Sequence, residues 1–333
     1  MSTLESQVGL RPERPRGAAK AAPRGLRLRW ADPLFRWLVS ACGAAVAVAM
    51  VALSGVLLVA SWEAISTLGL DPLTTVAWIP SAGEYGALSS LFGTFATTII
   101  AMVIAVPLAL AIAMLLVEII NPAVGRIVGT AIEMLAAVPS IIFGMWGIFV
   151  VVPLMQKYVE PWIQGTFLGR LPLFSGPPLG IGVLTAGIVL ALMVLPFITA
   201  VARDVLRMVP KVVKEAGYGM GSTTSEVMGK ISLRYALTGI AGAVFLGLGR
   251  ALGETMAVTF IIGGNVSEIP RSVFGPGTTI SATLANTFNE ATDPLHMSAL
   301  AELGLILFVI TMVFQLAAQV WLARARRMTG TRA

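Results

Sequence analysis

Gly249-Arg250-Ala251-Leu252-Gly253-Glu254-Thr255-Met256-Ala257-Val258 sets two opposite charges inside a stretch that otherwise has none, because Tyr235–Gly249 and Thr255–Ser267 are both uncharged. Taken as one membrane helix, it puts Arg250 and Glu254 one turn apart on the same face. An ionisable group at that depth costs at least about 2.5–3.5 kcal/mol on insertion scales, which makes such groups markers of a transport path. The competing reading is a structural ion pair that joins two helices. The residues alone leave both open.

Outward from that stretch the chain stays apolar. It is 56% hydrophobic and 12% charged over 333 residues, with a mean hydropathy of +0.86, a balance that excludes a soluble globular domain. Further uncharged runs cover Trp37–Trp62, Tyr85–Val117, Met134–Gln156, Leu171–Ala202 and Leu303–Ala323. Each reaches the roughly 20 residues that cross a hydrocarbon core. With the interrupted segment they predict an all-α polytopic membrane protein of six transmembrane helices.

The basic residues orient it. Of 23 Lys and Arg, eight lie in Met1–Arg36, six in Arg203–Arg234 and four after Trp321, with Arg126 between two spans. Six helices running up and down put all of these on one side, leaving Lys157, Arg170 and Arg271 on the other. The positive-inside rule makes that side, with both termini, cytoplasmic. The same asymmetry accounts for the isoelectric point near 9.9 and leaves no basic patch with interleaved aromatics for a nucleic acid.

Cys42 is the only cysteine, which excludes an intramolecular disulfide and a cysteine zinc cluster. Leu38-Val39-Ser40-Ala41-Cys42 superficially matches a lipoprotein cleavage box, but Arg36 interrupts the apolar segment before it and the uncharged run continues through Trp62. Residues 36–62 therefore read as an uncleaved first helix after a basic, disordered tail at 1–35. An external segment at 63–88 follows, with three acids, no bases, and Trp62 and Trp78 suited to the interfacial aromatic belt. A five-helix core at 89–322 carries the cytoplasmic loop 203–234, and a basic tail at 323–333 closes the chain. Pro107 kinks the second helix. The third carries Glu133 near its inner end and Pro139-Ser140 within it, where Ser140 reads as the cap of a broken helix. Glu268–Pro294 has room for a re-entrant piece, and His296 reads as structural or solvated.

Within the loop, Glu215–Met220 predicts a short helix stopped by Gly221, and Glu226–Ile231 predicts a second. Such an elbow suits a groove on a partner; as a solvated basic loop it would only orient the chain. The spacing of Glu215, Ala216, Gly217, Gly221, Ile231 and Leu233 resembles the EAA loop of ABC-importer permeases, with Gly217 where that family has a second Ala and Arg234 where it usually has Pro. The resemblance implies that the loop couples to an ATPase subunit.

Gly247-Leu248-Gly249-Arg250-Ala251-Leu252-Gly253-Glu254-Thr255-Met256-Ala257-Val258, continued by Thr259–Asn265, resembles the signature of phosphate-importer permeases. Trp78-Ile79-Pro80 with Gly86-Ala87-Leu88, and Ala137–Gly147 with its Val-Pro-Ser-Ile-Ile-Phe-Gly core, are similar to the PstC family rather than to its PstA partners. The resemblance implies a type I ABC-importer permease fold, a PstA-like second permease, a PstB-like ATPase dimer that binds ATP-Mg, and an external PstS-like phosphate-binding protein. This chain then carries no cofactor, no metal and no catalysis of its own. The absence of Gly-x4-Gly-Lys-Ser/Thr agrees, since Gly229-Lys230 is followed by Ile231. Arg250, with its planar fork of donors, suits phosphate oxygens, and Glu254 one turn away would hold it when no anion is bound. Gly242, Gly249 and Gly253 permit close helix packing within the chain or against a partner.

Three rivals remain at this level. They are the same machine with another oxyanion, an ion-coupled secondary transporter without an ATPase, and a membrane scaffold or phosphate sensor.

Overall fold

The computed structural model describes residues 31–328, so most of the expected tail at 1–35 and the end of the chain lie outside them. Among the described residues six helices are long and apolar enough to cross a membrane. The first, α1 (Ala31–Ala60), begins ahead of residue 36, with Pro33 in its opening turn. Pro is tolerated there because the first four N–H groups have no intrahelical acceptor. Contacts divide the chain at Leu53, within α1. Everything below concerns the unit from Ser54 onward.

Two spans make its centre, α2 (Leu88–Ile119) and α5 (Val183–Arg207). Ala101, Ala105, Ala109 and Ala113 recur every fourth residue along α2 and are fully buried. Across that stripe stand Val183, Ala186, Val189, Leu190, Val194 and Ile198 of α5, also buried. In lipid the drive is close van der Waals packing rather than escape from water, and a small-residue stripe supplies it.

The third span departs from the expected Met134–Gln156 helix. A separate α3 (Pro122–Ala136) carries Glu133, and α4 (Ser140–Gly165) is the span itself. Pro139 makes the division, being extended at φ −57°, ψ 137°. It has no N–H to continue a helix and biases Val138 away from helical dihedrals. Ser140 is thus the first residue of α4 and makes no capping bond. Asn121 does cap α3, its side chain accepting from the Ala123 N–H at 2.9 Å.

Between α5 and the next span lies α6 (Lys211–Gly219). The fifth span, α7 (Thr224–Leu252), starts at a capping box in which Thr223 and Glu226 satisfy each other's backbone N–H groups. The second short helix expected at Glu226–Ile231 is therefore the opening of α7, with a π-helical stretch at Val227–Ser232. At its other end α7 stops at Leu252, Gly253 leaves helical geometry at φ −94°, ψ 4°, and α8 (Met256–Thr259) follows as a separate turn. The single helix expected through Arg250 and Glu254 is therefore broken between them.

Beyond α8 the chain reverses at Gly263 and Gly264, pairs Gly263 with Gly277 in a parallel bridge, and enters α9 (Ile280–Thr287), whose first turn is buried. Non-helical backbone of this kind is admissible at membrane depth only when enclosed by protein. Thr279 caps α9, the Thr278 and Thr283 hydroxyls meet at 2.9 Å, and a contact of the Ser90 and Thr283 hydroxyls at 2.9 Å ties α9 to the start of α2. The last span belongs to α10 (Pro294–Met328). A small hairpin, β1 (Trp78–Ile79) with β2 (Glu84–Tyr85), precedes α2. Trp78 is 3% exposed, stacked edge-on to Tyr85 at 5.3 Å and beside His296 at 6.0 Å. It is a packing residue, not part of an interfacial belt, because the hairpin folds it inward. His296 of α10 is buried against the Trp78 and Tyr85 rings and is structural.

Candidate functional site

Arg250 occupies the last turn of α7, where the partial negative charge of the helix end favours a cation. Its side chain is exposed, and its guanidinium carbon stands 5.8 Å from the centre of the Phe197 ring of α5. Among the described residues no carboxylate lies within ion-pair distance of it. Glu254 is turned the other way, its Oε1 accepting from the Ala257 N–H at 3.2 Å in the first turn of α8. The expected Arg250–Glu254 pair is thus absent. The break at Gly253 leaves Arg250 in the last turn of α7 and Glu254 in the non-helical link before α8, where its carboxylate meets the Ala257 N–H. An aromatic face attracts the guanidinium without consuming its N–H donors. Arg250 is consequently a cation with its donor fork free, held at the break of a membrane span.

The glycines of this stretch behave differently from one another. A Cβ on Gly249 would run into Nε2 of Gln315, so Gly249 brings α7 against α10 of the same chain. Gly242 has nothing within 4 Å, and Gly253 faces only the Gly249 carbonyl at 3.8 Å.

At the opposite end of α7 stands the elbow. Its helix α6 ends in a Schellman motif, with the Gly221 N–H donating to the Tyr218 carbonyl at 2.9 Å and the Ser222 N–H to the Gly217 carbonyl at 3.2 Å. Gly221 takes the left-handed conformation this motif needs, at φ +83°. Gly217 is buried and faces the Ile231 and Val227 side chains of α7. Its missing methyl, relative to the Ala of the resembling loop, is what lets α6 lie this close to α7. Leu233 packs into the cluster of Ala113, Ala202, Leu206, Ala236 and Ile240 beneath the elbow. Glu215 and Ala216 point outward, flanked by exposed Val212 and Met220. The predicted residues thus divide, with Gly217, Gly221, Ile231 and Leu233 building the elbow and Glu215 and Ala216 forming its free face.

Two ion pairs of this end were not legible in the chain. The Arg203 guanidinium of α5 is buried and donates to Glu133 of α3, with Asp204 Oδ1 at 3.4 Å. Gly129 leaves the space it fills. Lys214 of α6 donates to Glu118 Oε1 at 2.6 Å, in the last turn of α2. Pairs 70 and 96 residues apart carry no local sequence signal. Among the described residues no cluster of three or more His, Cys, Asp and Glu is placed to hold a metal.

Residues 105–327 match the family described as binding-protein-dependent transport system inner membrane component. The chain is 50% identical over 274 residues to the phosphate transport system permease protein PstC of Pasteurella multocida, covering 81% of this chain and 85% of that protein. It is 45% identical over 320 residues to the protein of the same name from Xylella fastidiosa strain 9a5c, covering 95% and 98%. Among solved structures it resembles a chain of the bacterial alginate ABC transporter in complex with a pentasaccharide-bound periplasmic protein. That likeness has a TM-score of 0.58 at 14% identity and covers 92% of this chain and 99% of the other, a likeness of fold.

Proposed function

This chain belongs to the family of binding-protein-dependent transport system inner membrane components, and we propose that it is the PstC-type permease subunit of an ATP-driven phosphate importer in a bacterial inner membrane. It forms half of the pathway beside a PstA-like permease, takes phosphate from an external PstS-like binding protein, and leaves ATP hydrolysis to a PstB-like ATPase pair. Supporting this reading, relatives at 45–50% identity carry the phosphate permease name. The geometry adds Arg250, a cation without a carboxylate partner among the described residues, at the break of a membrane span.

The chemistry requires both halves of the proposal. Phosphate enters against an inside-negative potential, at about 2.3 kcal/mol per charge per 100 mV, so uptake must be driven. The drive reaches this chain through the elbow, whose free face of Val212, Glu215, Ala216 and Met220 docks on the ATPase at the cytoplasmic side. That side follows from the basic residues of 203–234 and of both termini. Closure of the ATPase pair moves the elbow and switches the side on which Arg250 is accessible. An ion-coupled transporter has no use for such an elbow.

Radiolabelled phosphate uptake by the reconstituted complex tests the reading, with sulfate uptake and ATP hydrolysis measured in parallel. The native complex is expected to take up phosphate in preference to sulfate, and Arg250→Gln to lose uptake while assembly and hydrolysis persist. Normal uptake by Arg250→Gln would remove Arg250 from the anion path. Sulfate uptake without phosphate uptake by the native complex would overturn the substrate.

A further inference from the structure

We infer that the Lys214–Glu118 ion pair is the strut through which the elbow moves the second span, making these two the positioning residues of the coupling step. The inference rests on the docking role proposed for α6. Three observations carry it. First, α6 is two-sided. Val212, Glu215, Ala216 and Met220 are exposed, while Val213, Lys214 and Gly217 turn to the bundle. Lys214 is the one charged residue on that inward side.

Second, the pair is close and largely enclosed. Nζ and Oε1 are 2.6 Å apart, with the two side chains only 16% and 7% exposed. Surface pairs contribute little because water screens them and side-chain entropy opposes them, whereas a pair this enclosed cannot lose one partner without stranding the other charge. It therefore holds as a unit when α6 is pushed.

Third, both inward contacts of α6 land on π-helical turns. Glu118 lies in the π-helical Leu115–Ile119 at the end of α2. Val227 and Ile231, which receive Gly217, lie in the π-helical Val227–Ser232 at the start of α7. A π turn interrupts the regular i→i−4 ladder and is a point at which a helix bends. The elbow thus grips two spans at their π-helical turns, and α7 is the span whose last turn carries Arg250.

The test uses the complete complex in proteoliposomes, with phosphate uptake and ATP hydrolysis read from the same preparation. Glu118→Gln and Lys214→Met are each expected to lower uptake per ATP hydrolysed about twentyfold, the middle of the range for contacting groups, with hydrolysis itself kept. The exchanged pair, Glu118→Lys with Lys214→Glu, is expected to recover most of that ratio, which a loss of general packing would not do. A second measurement covers variants that fail to assemble. In a Cys42→Ser background, Glu118→Cys and Lys214→Cys are joined by a short bis-maleimide. Uptake preserved in the joined protein supports a strut that moves as one body, and uptake abolished by joining overturns it. An unchanged uptake-to-hydrolysis ratio in both single variants also overturns it. Absence of phosphate uptake by the native complex would instead refute the function proposed above.

Discussion

Removing Glu133 is expected to harm this protein more than removing Arg203, although the two form one ion pair. The Arg203 side chain is 5% exposed and that of Glu133 46%. In Glu133→Ala the guanidinium stays enclosed beside Gly129, with Asp204 at 3.4 Å as its remaining partner and its Nε still without one. Stranding an enclosed charge costs about 3–5 kcal/mol, and Asp204 holds the loss to about 3 kcal/mol at the low end of that range. In Arg203→Met the carboxylate left behind is half in solvent and rehydrates, so the loss is about 1 kcal/mol, the value of a surface pair. For a chain of 333 residues the two losses correspond to a fall in melting temperature of about 4 °C and about 1.5 °C. The double variant should then sit near Arg203→Met alone, because nothing is stranded. The assay is thermal unfolding of the purified chain in one detergent, followed by the loss of monodisperse protein. The reasoning is refuted if Glu133→Ala melts no lower than Arg203→Met, or if the double variant melts below both.

Other consequences are checked as directly. Phe197→Leu should raise the KM for phosphate about two- to fivefold, the equivalent of an exposed cation–π contact of about 0.5–1 kcal/mol, whereas Phe197→Tyr should leave it near native; equal values for Leu and Tyr would remove the ring from the site. Gly221→Ala forces a Cβ into the left-handed conformation at φ +83° and should destabilise the elbow by about 1 kcal/mol, seen as faster amide exchange across 211–222. Gly221→Asn should lose less, since Asn visits that region more readily. Burial, with Asp293 adding to it, pushes the Tyr85 hydroxyl above its ordinary value of 10.0. The folded state therefore holds the Tyr85 proton more tightly than the unfolded one, and stability from this group is complete below pH 10 and declines as pH rises beyond it. A tyrosinate absorbance titration of native protein against Tyr85→Phe reads that directly, and a Tyr85 signal appearing below pH 10 would contradict it.

What the chain alone determined are the features whose physics is local or imposed by the bilayer. Hydrocarbon thickness demands long uncharged runs, so the six spans were visible without any knowledge of packing. The helix at Glu215–Met220 and its stop at Gly221 were visible for a similar reason, since a left-handed C′ residue is a one-residue signal. The position of Arg250 in an uncharged stretch belongs to the same class. The errors also follow from local rules. Reading 3.6-residue periodicity through Gly253 joins Arg250 to Glu254, and the uncharged run starts the third span at Met134, although the break read at Pro139-Ser140 starts it at Ser140. In both places the apolar composition continues while the backbone does not. Only the tertiary structure decided what each charge faces. Arg250 meets a Phe197 ring, Lys214 meets Glu118, and the buried Arg203 meets Glu133 in space left by Gly129. These partners come from helices distant in sequence, and the energy of a charge in a low-dielectric interior depends on the few ångströms around it rather than on its neighbours along the chain.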